Sequence, residues 1–285
     1  MIVVTGATGH LGKAIIESLL RRHSSERVVA SVRDPAKASG LVARGIEVRA
    51  GDFANARNLK ATFEGADQVL IVSADKLGDE ALLLHRAAIE AAREAGADRI
   101  LYTSHMGARV GSPFAPAEQH AGTEADLAAS GLAYTSLRHG FYAESCLHII
   151  RDALRTGELR VPEDGPVSWT ARDDLAEADA AILSEKGKWD GITPPLTASQ
   201  AVTMAEIAAM ASEVMGREVR HVTVPDAEWS QAKVASGMPA IYAEMLLGTF
   251  RAARRGDFAA TDPALERLLG RPPRTFREVL SASGL

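Results

Sequence analysis

Residues 1–12 read MIVVTGATGHLG, and this stretch decides the fold. Ile2, Val3 and Val4 are a short β-branched run that suits a strand buried on both faces. Gly6, Gly9 and Gly12 follow before an apolar-periodic stretch, giving the order strand, glycine turn, helix. Glycines at such a turn permit φ > 0, let the backbone approach a pyrophosphate and allow tight packing of helix on strand. The unpaired N–H groups at the helix start then face the phosphates. The stretch reads as a dinucleotide cradle with Gly6, Thr8, Gly9, His10, Leu11 and Gly12 as candidate contacts. Its spacing is G-x-x-G-x-x-G rather than the commoner G-x-G-x-x-G, and the alternative is an ordinary glycine turn.

Working outward, a helix is expected from Leu11 to His23, with Arg21, Arg22 and His23 at the negative pole of its dipole. A second strand, Val28 to Val32, ends at Arg33. At this position, about 20 residues past the turn, an acidic residue would bind the ribose hydroxyl of NAD, whereas arginine accommodates the 2′-phosphate of NADP. Arg33 and Lys37 therefore favour NADPH over NADH, against the alternative of a solvated surface pair. A helix from Pro35 to Arg44 and a strand from Ile46 to Arg49 lead to Gly51-Asp52-Phe53. Asp52 and Phe53 are candidates for the adenine, and a plain turn is the alternative.

A helix over Asn58 to Phe63, a strand over Gln68 to Val72, a helix over Glu80 to Ala95 and a strand over Arg99 to Tyr102 continue the alternation. The loops after these strands, Ser73-Ala74-Asp75 and Thr103-Ser104 with His105 and Met106, are expected at the nicotinamide end, because doubly wound sheets bind ligands at strand C-termini. Gly107 to Pro116 is rich in glycine, proline and serine and reads as a flexible loop over the site. Ala117 to Ser130 is a helix and Ala133 to Leu137 a sixth strand, after which the regular alternation breaks. Asp173 to Ser184 gives one more helix and Lys186 to Pro195 a turn-rich boundary. Thr203 to Met215 reads as a helix with a Thr203/Glu206 capping box. Beyond it come a strand, Arg220 to Val224, and helices at Ala227 to Gly237, Ile241 to Ala253 and Phe276 to Ser283. The fold class is α/β, a doubly wound parallel sheet of the Rossmann type with a smaller C-terminal α/β lobe. The expected domains are residues 1–137 plus about 170–187 for the nucleotide-binding part and 138–169 plus 188–285 for a substrate lobe.

The 285 residues, 46% hydrophobic and 24% charged, are ordinary globular values, and a net charge of −5 gives nucleic acid no basic footprint. Cys146 is the only cysteine, so neither an internal disulfide nor a cysteine-cluster metal site is expected. No apolar run reaches the roughly 18 residues of a membrane span, and no leader precedes the first strand; a cytoplasmic protein is expected. Neither nucleic acid nor membrane is an expected partner; at most a second copy of the chain is, as a homodimer.

Several stretches together carry a family resemblance: TGATGHLG after the first strand, VRDPAKA after the second, GDF after the third, YTS after the fifth and LRHGFYAES after the sixth. The late TARDDLAEA and RPPRTFREVL segments extend it over essentially the whole chain. They resemble the NmrA-like atypical short-chain dehydrogenase/reductases, nearest to the type 2 NADPH:quinone oxidoreductases and next to the triphenylmethane-dye reductases. The resemblance implies NADPH held by Gly6 to Gly12, Arg33, the Ser73 to Asp75 loop and the loop of Arg138, His139, Gly140, Phe141, Tyr142, Ala143 and Glu144, with Arg172 nearby. His139 stands where these relatives usually have asparagine.

Better-known members of the superfamily protonate substrate with a tyrosine activated by a lysine four residues on. Tyr102, Tyr134, Tyr142 and Tyr242 are followed at that spacing by Met106, Arg138, Cys146 and Leu246, so no such pair exists. His120 and Glu124 stand at i, i+4 on one helix face instead, where the carboxylate would favour a protonated imidazole able to donate to an oxyanion. The alternative is a surface His–Glu pair. Phe141 and Tyr142 could offer a face to a flat substrate, or pack in the core. A quinone or cationic dye needs little acid assistance, so direct hydride transfer without flavin or metal is expected, in a reductase of quinones or similar electron-poor aromatics. The alternative function is an NADP(H)-binding redox sensor of the NmrA type without turnover.

Overall fold

The computed structural model describes residues 1–22 and 27–284; His23, expected to end the first helix, lies outside them. The strands are β1 (Ile2–Val4), β2 (Val28–Val32), β3 (Glu47–Ala50), β4 (Gln68–Ile71), β5 (Arg99–His105), β6 (Ala133–His139), β7 (Glu158–Val161), β8 (Gly191–Ile192) and β9 (Arg220–Thr223). The helices are α1 (His10–Arg21), α2 (Ser39–Val42), α3 (Ala56–Phe63), α4 (Gly78–Glu94), α5 (Ala115–Ala129), α6 (Ala143–Thr156), α7 (Arg172–Ser184), α8 (Met204–Met215), α9 (Asp226–Ala235), α10 (Ala240–Arg254), α11 (Ala264–Leu269) and α12 (Phe276–Ala282). No helix among the described residues is long and apolar enough to cross a membrane.

The chain divides into two compact units: residues 1–105, 119–138 and 173–194, and residues 106–118, 139–172 and 195–285. The first carries a seven-stranded sheet in the order β3-β2-β1-β4-β5-β6-β8. The pairs β1–β2, β1–β4, β2–β3, β4–β5 and β6–β8 are all parallel. The sequence order reverses at β1, the crossover point where doubly wound sheets open a ligand crevice. The expected doubly wound α/β class is therefore the observed one. β1, β2 and β4 are buried at every position, as the β-branched runs require of strands covered on both faces. Val3, Val29, Val69, Ile71 and Ile100 meet Leu59, Phe63, Ala88 and Ala92 in one core of this unit.

Several elements differ from the sequence reading. Residues 106–118 group with the second unit rather than the first. The segment read as a flexible loop is anchored there. Arg109 donates to Asp257 at 2.7 Å, and a Cβ on Gly248 of α10 would stand 2.2 Å from the Pro113 carbonyl oxygen. The helix expected over Pro35 to Arg44 is a 3-10 turn, Pro35–Ala38, capped by the Asp34 carboxylate and followed by the single turn of α2. β5 and β6 run on to His105 and His139, because the polar side chains that end them are hydrogen-bonded inside the unit.

In the second unit, β7 and β9 pair in parallel from Glu158↔Arg220 to Val161↔Thr223. α6, β7, β8 and α11 were not expected. Cys146, Leu147, Ile150, Ala153 and Leu154 of α6 make a regular buried stripe, closed by Gly157 at φ +82. The Thr203/Glu206 capping box of α8 is present as expected. The core of this unit gathers Trp169, Phe250, Phe258, Trp229 and Ile207.

The three glycines of the opening turn have separate reasons. Gly6 sits at φ +60, and a Cβ on Gly12 would lie 2.5 Å from the Gly6 carbonyl oxygen, so α1 rests on the turn only because residue 12 lacks a side chain. Gly12→Ala should therefore lower unfolding free energy by about 2 kcal/mol through overpacking, checked by urea denaturation of the two proteins.

Candidate functional site

The N-terminus of α1 is the first component. Gly9 is its N-cap, no side chain caps it, and no acidic residue lies in its first turn. A helix start leaves its first N–H groups without intrahelical acceptors; here the Gly9 N–H turns back to the Gly6 carbonyl at 2.8 Å and no side chain caps those that follow. Thr8, Gly9 and His10 are exposed, whereas Ala7, Leu11 and Gly12 are buried. The result is a positively polarised backbone end held by a turn that admits close approach, which fits the diphosphate of a dinucleotide. Leu11 belongs to the wall behind this cradle.

Arg33 follows β2 and is 70% exposed; its guanidinium lies 3.7 Å from Asp75, which follows β4. β2 and β4 flank β1, so the pair links the loops on either side of the glycine turn. Asp34, next to Arg33, is directed elsewhere: its carboxylate accepts from the Ala36 N–H at 3.1 Å and lies 4.0 Å from Lys37 Nζ. Lys37 is exposed beside it. Asp52, expected at the adenine, is exposed and accepts from the Ala54 N–H at 3.0 Å, while Phe53 packs partly buried against the core. This turn matches the plain-turn alternative given for Asp52.

The loop after β4 is hung on side chains. The Val72 N–H donates to Thr5 Oγ1 at 2.9 Å, Ser73 N–H to Thr103 Oγ1 at 2.9 Å, Ala74 N–H to His85 Nε2 at 2.9 Å and Gly78 N–H to Gln119 Oε1 at 3.0 Å. Thr103 was expected to face the ligand; its hydroxyl instead supports Ser73. His85 is fully buried, and desolvation alone pulls its pKa down from 6.5 to about 4, so it is neutral at neutral pH. The sequence reading did not single out His85, which lies on the same buried face of α4 as Ala81, Ala88 and Ala92. The signal for it is a polar ring in that stripe, which must find partners when buried.

The expected His120–Glu124 pair is not formed, and neither residue is on the surface. His120 is 8% exposed, and its Nδ1 lies 2.7 Å from the hydroxyl of Tyr102, which is fully buried on β5. Glu124 is 6% exposed; Oε1 accepts from Ser104, Ser136 and Arg138 Nε at 2.8, 2.8 and 3.0 Å, and Oε2 from the other fork of Arg138 at 2.7 Å. The carboxylate in turn raises the Arg138 pKa. Glu124 therefore ties β5, β6 and α5 together, and both Ser104 and Arg138, expected at the cofactor, point into this knot. An i, i+4 spacing brings two side chains to one face, but stronger donors on β5 and β6 claim the carboxylate.

In the second unit, Gly140 is closed in: a Cβ would meet Thr170 Oγ1 at 2.2 Å, and its N–H donates to the Leu196 carbonyl at 2.7 Å. Its lack of a side chain serves packing rather than a ligand. Phe141 packs against Phe114, Trp169 and Phe258 with ring centroids 5.0–5.4 Å away, the core alternative foreseen for it. Tyr142 is half-buried. The Arg172 guanidinium stands 5.1 Å from its ring centroid, and the buried His139 has Nδ1 3.5 Å from its hydroxyl. The Arg172 N–H donates to the Glu144 carboxylate at 3.1 Å. Among the described residues no group of three His, Cys, Asp or Glu side chains could hold a metal ion.

Residues 1–276 match the NmrA-like family. The chain belongs to this family. It is 36% identical over 282 residues to quinone oxidoreductase 2 of Escherichia coli K12, covering 99% of this chain and 98% of that one. The NmrA-like fold superimposes on the crystal structure of an NADPH-dependent quinone oxidoreductase from E. coli complexed with NADPH with a TM-score of 0.93, 35% identity and 99% coverage of both chains. It superimposes on Citrobacter sp. triphenylmethane reductase complexed with NADP(H) with a TM-score of 0.91, 31% identity and complete coverage.

Two outcomes follow. Glu124→Ala strands the half-buried Arg138 guanidinium and two serine hydroxyls, and should lower unfolding free energy by about 3 kcal/mol in chemical denaturation. For His85, the unfolded chain takes up a proton near pH 6.5 while the folded chain resists until about pH 4. Stability should fall as the pH drops between these values, by up to about 3 kcal/mol. His85→Gln, with nothing to titrate there, should lose that part of the stability–pH curve.

Proposed function

We propose that this NmrA-like protein is an NADPH-dependent reductase that delivers a hydride to quinones or similar electron-poor aromatic acceptors. The observation that carries the reading is the uncapped start of α1 behind the Gly6–Gly12 turn, with a cation, Arg33, at the end of the neighbouring strand. Similarity over the whole chain to reductases whose structures contain NADPH or NADP(H) supports the same cofactor.

In this reading the N–H groups at His10 to Gly12 receive the diphosphate, the Gly9 N–H being taken by the Gly6 carbonyl, and Arg33 exchanges Asp75 for the 2′-phosphate, with Lys37 near enough in sequence to join it. The loop of Ser73, Ala74 and Asp75 borders the nicotinamide, fixed in place by Thr103 and His85. Bound NADPH supplies the hydride. Within the second unit, Tyr142 with the Arg172 guanidinium 5.1 Å from its ring centroid is a candidate contact for a flat aromatic ligand. No activated tyrosine–lysine pair is available to protonate an ordinary ketone, so the acceptor must be one that gains aromaticity or loses charge on reduction. Such acceptors leave a direct transfer, without flavin or metal, sufficient.

The assignment is tested by following NADPH at 340 nm with benzoquinone and menadione. Turnover supports it; tight NADPH binding without turnover of either acceptor would favour the sensor instead. Arg33→Asp should weaken NADPH by at least roughly tenfold, through loss of a charge-assisted contact, while NADH changes little. Equal loss of both would remove the 2′-phosphate assignment.

A further inference from the structure

Arg33 and Asp75 join the two loops that flank the glycine turn. Arg33 follows β2 and Asp75 follows β4, the strands on either side of β1, and the guanidinium lies 3.7 Å from the carboxylate. The neighbouring charges have partners of their own. Asp34 takes the Ala36 N–H and faces Lys37, and Lys76 pairs with Glu80 at 2.9 Å. The loop that carries Asp75 is held by other groups: the N–H groups of Val72, Ser73, Ala74 and Gly78 donate to Thr5, Thr103, His85 and Gln119, and Gln119 donates to the Lys76 carbonyl at 3.2 Å. Asp75 thus rides on backbone pinned on both sides of it, with its side chain 77% exposed and turned to Arg33.

A guanidinium binds carboxylates and phosphates in the same way, through N–H groups in a planar fork, and a phosphate monoester brings more charge and one more acceptor oxygen. The 2′-phosphate of NADPH therefore takes Arg33 in competition with Asp75. The 2′-hydroxyl of NADH carries no charge and leaves the pair intact. We propose that Asp75 is a specificity-determining residue for the cofactor: it occupies Arg33 in the free protein as an internal competitor of the 2′-phosphate, weakening NADPH, sparing NADH and so narrowing the preference that Arg33 creates. The inference rests on the NADPH reading and adds to it a residue that opposes the cofactor rather than holding it. Exposed ion pairs are weak, so the effect is bounded at about two- to fivefold in the dissociation constant.

The test measures dissociation constants of NADPH and NADH, by titrating cofactor fluorescence, for the full-length wild type, Asp75→Asn, Arg33→Ala, the double variant and Glu80→Gln. Asp75→Asn should bind NADPH about two- to fivefold more tightly at low ionic strength, with NADH within about 1.5-fold of wild type. The gain should shrink towards nothing at about 0.5 M salt, where exposed pairs are screened. Adding Asp75→Asn to Arg33→Ala should change NADPH by less than about 1.5-fold, because no guanidinium is left to free. Glu80→Gln removes a nearby negative charge that faces Lys76 instead of Arg33, and should leave both cofactors unchanged. Unchanged or weaker NADPH binding in Asp75→Asn would overturn the proposal. So would the same tightening in the Arg33→Ala background or in Glu80→Gln, which would mark general charge repulsion, and so would a loss of NADH, which would make Asp75 a ligand of the ribose. If Arg33→Ala leaves NADPH no weaker, the 2′-phosphate assignment falls and the proposal with it, an outcome read from a different variant than failure of the Asp75 arm alone.

Discussion

The contact of Gly12 with the Gly6 carbonyl is the constraint on which the rest depends. It seats α1 directly on the end of β1, at the one place in the sheet where strand order reverses. Any side chain at residue 12 would lift the helix, and with it the row of N–H groups that no side chain caps. A glycine N-cap with no side-chain acceptor costs stability, about a few tenths of a kcal/mol against a good N-cap. Here that cost is what leaves the helix end available to an anion. The binding feature and the local weakness are one feature.

The polar interior around α5 obeys the same economy of partners. Four donors close on the Glu124 carboxylate, while a turn earlier His120 turns to Tyr102. Each group is buried, so each is held by the nearest partner of matching character, and the two do not need each other. The consequence for chemistry is a separation of roles. Glu124 ties two strands to a helix, while His85, Tyr102 and His120 form a separate buried polar group next to the loop that begins at Ser73. His85 belongs to both the loop and this group, since one nitrogen accepts from Ala74 and the other donates towards Thr123 and Tyr102.

The second unit is organised by aromatic packing and by backbones in direct contact. Phe114, Phe141, Trp169 and Phe258 pack mostly edge to face, and Gly140, Gly165 and Gly248 let chain segments meet where a Cβ would stand 2.1–2.2 Å from a neighbouring oxygen. These contacts leave Tyr142 at the start of α6 with its ring against the Arg172 guanidinium rather than within the cluster.

By itself the sequence determined what local chemistry can encode. The β-branched Ile2–Val4 run, the glycine spacing, the Thr203/Glu206 capping box and the alternation of strands and helices act within a few residues of themselves, so their outcome was legible. The stripe of α6 was equally local and was obscured by the glycines and prolines after it. What only the tertiary structure decided is which polar groups meet. Glu124 lies four residues from His120 but is taken by Ser104, Ser136 and Arg138, and Tyr102 and His85 gain their places from strands and helices distant in sequence. Burial makes hydrogen-bond partnership obligatory, and the partner is chosen by the packing of whole elements, a choice that residue spacing along one helix does not contain.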